Sequence, residues 1–205
     1  ITCIVLSILV FAYGDSAAKI ANFEGIRIVD YFKNIPAVLK DATIFGLLFS
    51  LFIILSVICF DFYFIEHKTM GYAFIGAIIL WLDVFVLLAL QWFIPIRSLM
   101  KNNLKKCLKK SFIILFDNTG FTIMIALYNF VLLILSIFFI GLVPAMTGIL
   151  ISCTNALRLR LYKYDYLEEH PELTTKKERK NIPWEELIYE DRETLGPRKL
   201  RSFLF

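Results

Sequence analysis

The chain alternates long apolar runs with short charged segments. Five apolar runs stand out, and they are Ile1–Tyr13, Ala42–Phe64, Gly71–Pro95, Thr119–Ile140 and Gly141–Leu157. About 20 consecutive apolar residues form a helix long enough to cross the hydrocarbon core of a bilayer. The pattern therefore predicts an all-α integral membrane bundle with five spans in residues 1–162, followed by a polar tail in residues 163–205 with one short helix from Pro183 to about Thr194.

The first run is shorter than a complete span. Ile1–Tyr13 covers about half to two-thirds of the length that a spanning helix needs, and the chain begins with isoleucine. We therefore expect that the first span is truncated and that residues precede Ile1. A secretory signal peptide is the alternative, since its apolar core has about 7–15 residues. No A-x-A-like cleavage site follows Gly14, however, and further spans lie downstream.

The composition agrees with membrane insertion. Hydrophobic residues make up 59% of the chain and the mean hydropathy is +0.70, whereas an ordinary soluble domain has roughly 45–50% apolar residues. The four cysteines lie far apart and show no Cys-x-x-Cys or Cys/His ligand spacing. They predict free thiols, without a metal site or a cofactor.

The distribution of basic residues predicts an orientation. The loop between the first two runs holds four lysines or arginines, the next loop holds one, the third holds six, and the turn between the last two runs holds none. Cytoplasmic loops carry the excess of lysine and arginine. The first loop, the third loop and the tail are therefore predicted to be cytoplasmic.

The third loop contains a basic amphipathic segment, KNNLKKCLKKSFIILF. The lysines lie on one face of the predicted helix, and apolar residues recur at helical spacing on another face, at Met100, Leu104, Cys107, Leu108, Phe112 and Leu115. Such a helix belongs at the membrane surface, where basic residues meet anionic headgroups; a nucleic-acid patch would not lead into a membrane span. The similar stretch Phe32–Ile44 predicts a second interfacial helix. The two stretches are either parallel repeats or chance similarities of amphipathic helices. The basic residues of the third-loop segment are Lys101, Lys105, Lys106, Lys109 and Lys110.

Several polar residues lie inside the apolar runs. A charge at the bilayer centre costs at least ~2.5–3.5 kcal/mol on insertion scales, so Asp83 should face protein or a water-filled cavity. Asp83 is either a proton or substrate site, or a structural carboxyl group. The other polar residues of the spans either share a pocket with Asp83 or form contacts that hold neighbouring helices together. The small residues Gly148 and Ser152 predict close helix packing and a homodimer. The predicted pocket consists of Asp83, Gln91, Asn118, Thr122, Asn129 and Asn155.

No motif of a soluble enzyme is present. The chain contains no glycine-rich phosphate loop, no G-x-S-x-G and no H-E-x-x-H. The two histidines, His67 and His170, lie on opposite predicted sides of the membrane. We therefore expect a non-enzymatic protein; a membrane enzyme is the weakest hypothesis.

Three stretches carry a resemblance to a family. DYFKNIPAVLKDATIFGLLF, WFIPIRSLMKNNLKKCLKKSFIILFDN and LVPAMTGILISCTNALRLRLY resemble the YesL-like bacterial membrane proteins, a domain family of unknown function. The resemblance covers roughly residues 1–165. It implies a link to sugar uptake, because members are often encoded beside carbohydrate ABC transporters and two-component sensors. The family has no accepted catalytic residues.

These observations predict a bacterial cytoplasmic (inner) membrane protein with a cytoplasmic C-terminus. Its predicted role is that of an accessory of carbohydrate ABC transport or its sensing, with the lipid bilayer, transporter or sensor subunits and a second copy as partners and no nucleic acid. The alternative is a small transporter or channel that uses the polar pocket around Asp83.

Overall fold

The structure is all-helical in the part of the chain that it describes. The computed structural model describes residues 1–67, 69–139, 145–175 and 178–195, and within these ranges it contains no strand. The predicted all-α class is confirmed. The elements are α1 (Thr2–Ala21), α2 (Ile28–Phe60) with a π-helical turn (Asp61–Glu66), α3 (Met70–Leu90), α4 (Phe93–Met100), α5 (Leu104–Asp117), α6 (Thr119–Phe138), α7 (Ala145–Glu169), a 3-10 turn (Glu178–Lys180), α8 (Trp184–Leu187) and α9 (Tyr189–Leu195).

Four stretches among the described residues are long and apolar enough to cross a membrane. They are Thr2–Ala21, Ile28–Glu66, Met70–Met100 and Thr119–Phe138, and they contain most of the first four predicted spans. The fifth span stays a prediction. Its residues 141–144 lie outside the described part, and α7, which contains the remainder, is not among the four because its second half is rich in charged residues.

The first span is longer than the sequence pattern predicts. α1 continues past Tyr13 to Ala21 and has 20 residues. Two polar side chains in this extension have partners inside the bundle: Ser16 donates a hydrogen bond to the backbone carbonyl of Ala12, and Asp15 accepts one from Arg97. Because these polar groups are paired, the helix can continue past the end of the purely apolar run with both of them inside the bundle.

The long helices expose apolar side chains. Leu48, Val57, Trp81 and Phe130 each have more than half of their surface exposed. Exposed apolar area costs roughly 25 cal/mol per Å² in water, whereas a hydrocarbon environment removes that cost. This surface is the one that a multi-pass membrane protein presents to lipid.

α1 and α2 pack closely through small residues. On α2 the buried positions Val38, Ala42 and Gly46 are spaced by four residues and form one face. A Cβ atom added at Gly46 would lie 2.9 Å from the Cα atom of Ile4. Small residues let two helix backbones approach, which is the main source of helix association in lipid. The small buried residues of α1 are Ser7, Ala12, Gly14, Ser16, Ala17, Ala18 and Ala21.

Aromatic side chains of α2 on both sides of Pro36 contact α1. The ring of Tyr31 lies 6.4 Å from that of Tyr13, and the ring of Phe45 lies 5.3 Å from that of Phe11. Tyr31 and Phe45 are separated by roughly 21 Å along a helix axis, yet their partners on α1 are neighbours within one turn. Pro36 lies between them inside α2 and permits a bend, because it removes a backbone hydrogen bond.

The two predicted interfacial segments join their spans differently. Phe32–Ile44 lies inside α2 and is continuous with the second span. The lysine-rich segment forms α5, which Asn118 separates from α6 by its non-helical geometry (φ −128°, ψ 45°). α5 packs against α3 and α4. Its buried residues follow helical spacing and are Cys107, Ser111, Ile114 and Leu115.

The chain forms two compact units, Ile1–Leu157 and Arg158–Phe205. In the second unit Arg158 donates hydrogen bonds to the Tyr162 hydroxyl oxygen, at 2.6 Å, and to the Asp191 carboxylate. Burial raises the pKa of the Tyr162 hydroxyl. This group therefore stays protonated at neutral pH and donates to Asp191 at 3.3 Å.

The predicted single tail helix is two short helices. Ile188 leaves helical geometry (φ −101°, ψ 10°) between α8 and α9. The second helix carries Asp191, which Arg158 holds, so a contact distant in sequence orients α9. The predicted helix end at Gly196 and Pro197, and the apolar last residues, lie outside the described residues.

The variant Gly46→Ala tests the packing of α1 against α2. The new Cβ atom would meet backbone atoms of Ile4 at 2.9 Å and of Cys3 at 3.3 Å, which cannot move aside as a side chain can. We expect the free energy of unfolding to fall by about 1–3 kcal/mol. The control Gly71→Ala, with nothing within 4 Å of its added Cβ atom, should be neutral or gain up to about 1 kcal/mol. Thermal unfolding in detergent, followed by circular dichroism, measures both, and equal stabilities would contradict the close approach.

Candidate functional site

A polar cavity of about 470 Å³ lies where three segments of the first unit meet. The segments are the end of α1 with its following loop, the first half of α2, and the end of α4 with the connection to α5. The charge count predicts that both connecting loops lie on one side of the membrane, and the cavity brings them together. The polar and charged lining residues are Asp15, Lys19, Asn22, Glu24, Asn34, Asp41, Arg97, Ser98, Lys101, Asn102 and Asn103.

Arg97 is the central charged group of this cavity. Its Nη1 atom donates a hydrogen bond to Oδ1 of Asp15 at 3.0 Å, and its Nε atom lies 3.9 Å from Oδ2 of Asp41. The guanidinium also lies over the ring of Phe11, 4.9 Å from the ring centre. The Arg97 side chain is 12% exposed, against 30% for Asp15 and 41% for Asp41. One buried cation therefore joins α1, α2 and α4.

Local backbone geometry brings α4 against α1. Gly14 faces α4, since a Cβ atom there would collide with Ile94 and lie 2.9 Å from Oγ of Ser98. Lys101, the residue after α4, has a left-handed backbone (φ 48°) and donates its N–H group to the carbonyl of Arg97 at 2.8 Å. This turn redirects the chain over the cavity. A left-handed conformation costs a non-glycine residue about 1–2 kcal/mol, which the surrounding packing must offset.

Three residues of the cavity have buried polar atoms without a hydrogen-bond partner in the described part of the chain. These atoms are Nδ2 of Asn34, Nε of Arg97 and Oγ of Ser98. Leaving such a group unsatisfied costs about 1–3 kcal/mol. Two of the three can only donate, and the Ser98 hydroxyl can donate or accept. Each of these atoms has almost no accessible surface, so a ligand in the cavity would reach them only if their side chains rotated.

The structure brings Gln91 and Thr122 of the predicted pocket together. Nε2 of Gln91 donates to the backbone carbonyl of Thr122 at 3.0 Å, and Nε1 of Trp92 donates to the Thr122 hydroxyl at 3.1 Å. Trp92 and Thr122 are fully buried. These bonds attach the end of α3 to α6.

Asn129 and Asn155 have different surroundings from those of Gln91 and Thr122. Asn129 is buried, and its Nδ2 atom donates to Sγ of Cys153 in α7 at 3.1 Å. Asn155 is exposed. Gly148 faces α6, where a Cβ atom would lie 3.4 Å from a methyl group of Leu132. Ser152 is half-buried, and the homodimer through Gly148 and Ser152 stays a prediction.

Asp83 lines a separate cavity of about 20 Å³ between α2 and α3, with Ser56, Cys59 and Gly76 among the other lining residues. About 10–15 Å³ is enough for one water molecule, so this space suits a hydrated carboxyl group. Asn118 donates to the neighbouring Asp117 carboxylate at 2.9 Å. The six residues predicted to share a pocket therefore occupy several places, because their helices present them to different neighbours.

The basic residues of the interfacial segment lie mostly on the surface. Lys110 is half-buried, and its Nζ atom lies 3.1 Å from Sδ of Met100. Their contact with anionic headgroups stays a prediction. The exposed residues are Lys101, Lys105, Lys106 and Lys109.

The residues predicted to form a site do not include Asp15, Asp41 or Arg97. A signal was present, since each stands at the end of an apolar run beside a small residue, respectively Gly14, Ala42 and Ser98. A charged residue at the end of a span is also typical of an ordinary loop, so this signal does not distinguish an ion pair.

The fold and the cavity define a multi-pass α-helical membrane protein with a polar site at one end of its bundle. Among the described residues no group of three or more histidine, cysteine, aspartate or glutamate side chains is arranged to hold a metal ion. The chain matches no family model, and comparisons with curated proteins and with solved structures found no match. The resemblance to YesL-like proteins stays a prediction.

Variants of the ion pair test the role of Arg97. We expect Asp15→Asn to lower the free energy of unfolding by about 1–3 kcal/mol, because a charge-assisted hydrogen bond to a buried guanidinium is lost. Asp41→Asn should cost less than about 1 kcal/mol, since that pair is longer and more exposed. Thermal unfolding in detergent gives both values. A larger loss for Asp41→Asn would contradict the ranking that the geometry implies.

Proposed function

We propose that the protein is a non-enzymatic accessory of carbohydrate ABC transport, or of its sensing, in the bacterial cytoplasmic membrane. In this role it binds a small, neutral, polyhydroxylated solute in the Arg97 cavity. The observation that carries the proposal is the polar cavity, whose wall contains buried donors without partners among the described residues. The link to carbohydrate rests on the sequence resemblance.

The lining chemistry supports a neutral polar ligand. Three acidic and three basic residues balance each other, and four asparagines add both donors and acceptors. A hydroxyl group donates and accepts hydrogen bonds, so it can match amide groups and paired charges alike. An anion would meet the carboxylates of Asp15, Glu24 and Asp41. The volume of about 470 Å³ falls within the range of roughly 300–1,000 Å³ that small-molecule sites have.

The predicted orientation agrees with this role. The first and third loops, which both line the cavity, are predicted to be cytoplasmic. An importer releases its solute on that side. A site there would report the arrival of the solute or hold it near the transporter.

The alternative function, a small transporter or channel that uses Asp83, has weaker support. The cavity at Asp83 has a volume of about 20 Å³, which is enough for about one water molecule. A solute pathway through this position would require the helices to separate.

Ligand binding is tested with Ser98→Ala and the matched control Ser56→Ala. Ser98 lines the Arg97 cavity and Ser56 lines the Asp83 cavity. Neutral mono- and disaccharides should raise the unfolding temperature of the wild type and of Ser56→Ala. Ser98→Ala should bind about fivefold more weakly, as expected for one lost hydrogen bond. Sugar phosphates and amino acids serve as charged comparison ligands. The detergent must lack a sugar headgroup, since such a headgroup would compete.

The binding hypothesis is wrong if no neutral sugar shifts the unfolding temperature, or if both serine variants respond like the wild type. A preference for the charged ligands would also contradict it.

The accessory role is tested by a gentle-detergent pull-down of the full chain from its native membrane, with mass spectrometry of bound proteins. We expect subunits of a carbohydrate ABC transporter or a sensor kinase. Recovery of the protein alone, together with solute flux in liposomes that Asp83→Asn abolishes, would instead support the transporter.

A further inference from the structure

A second cavity, of about 340 Å³, lies between α1 and the first turn of α2. Its wall is largely apolar or aromatic, and it has one cationic side chain, Arg27, at the start of α2. The lining residues that matter here are Tyr13, Ile26, Arg27, Ile28, Tyr31 and Phe32.

The start of α2 continues this apolar surface outward. Ile28, Phe32, Ile35 and Leu39 follow one another by four, three and four residues, so they lie on one face of the helix. The exposed fractions of Ile28, Phe32 and Leu39 are 81%, 62% and 43%. The exposed lysines Lys33 and Lys40 lie on a different face of the helix. An exposed apolar stripe with basic residues on another face is typical of a helix in the headgroup region of a membrane.

The charge of Arg27 is available at the cavity. Its side chain is 84% exposed, and its Nε atom lies 3.8 Å from Oδ2 of Asp30. The Asp30 carboxylate also accepts the backbone N–H of Arg27 at 3.1 Å. Within the described residues, the structure gives the two Nη groups of Arg27 no hydrogen bond. Both can therefore donate to a second anion.

We propose that this cavity binds one anionic phospholipid. Its acyl chains lie along Ile28 and Phe32, and its phosphate accepts hydrogen bonds from the Nη groups of Arg27. The occupant is a lipid and not free phosphate, because most of the wall is apolar and continuous with the exposed stripe. The site is independent of the solute proposed for the Arg97 cavity, and it requires only that the protein resides in a membrane.

Native mass spectrometry of the full chain in detergent tests the site. Phosphatidylglycerol and phosphatidylcholine with identical acyl chains are the probes. The wild type should retain one phosphatidylglycerol per chain in preference to phosphatidylcholine. Arg27→Gln should reduce this retention by about fivefold, as expected for one basic residue at an anionic surface. Lys33→Gln, which removes the same charge from an exposed residue that does not line the cavity, should reduce it less than Arg27→Gln does.

Phe32→Ser should reduce the retention of both lipids, because it removes apolar wall and leaves Arg27 in place. Equal losses for Arg27→Gln and Lys33→Gln would overturn the proposal in favour of a diffuse surface charge effect. Equal retention of the two lipids by the wild type would overturn it as well, since the net negative charge of the headgroup, the property in which the two lipids differ, would then play no part.

Discussion

The ion pair of Arg97 is the interaction on which the described architecture of the first unit depends. One guanidinium, 12% exposed, contacts carboxylates on two different helices and the ring of Phe11 on one of them. A buried cation is costly unless it is paired and hydrogen-bonded. The position of α4 is therefore tied to those of α1 and α2. The polar cavity lies where these three helices meet, beside the Arg97 side chain.

This ion pair requires close helix approach, which the small residues supply. Gly14 lets α4 pack against α1, and Gly46 lets α2 pack against it. In a membrane the apolar side chains gain little by leaving lipid, so packing and polar contacts between helices decide how they associate. Small residues of α1 and α2 lie on the facing sides, while many large apolar residues of the long helices are exposed. The Arg97 cavity is where several charged side chains meet.

Residue by residue, prediction succeeded where the signal was local. The buried face of α5 follows from apolar spacing around Cys107 and Leu115, although Leu108, predicted on that face, is 42% exposed. Prediction was less successful for polar residues within spans. Asp83 is recognisable in the sequence because it interrupts an apolar run, yet the cavity that it lines is small. Arg97 is not recognisable in this way, because a basic residue at the end of a span is also typical of an ordinary cytoplasmic loop.

The sequence by itself determined the class of protein, which is an all-α protein with helices long and apolar enough to cross a membrane. Only local information is needed to recognise apolar runs of spanning length, helical periodicity and the placement of basic residues. Tertiary structure alone decided which polar groups meet. Asp15 and Arg97 are 82 positions apart, and their contact depends on the close approach of α4 to α1 at Gly14. No pattern within one helix specifies the angle at which it crosses another. The site was therefore visible only once the helices were packed.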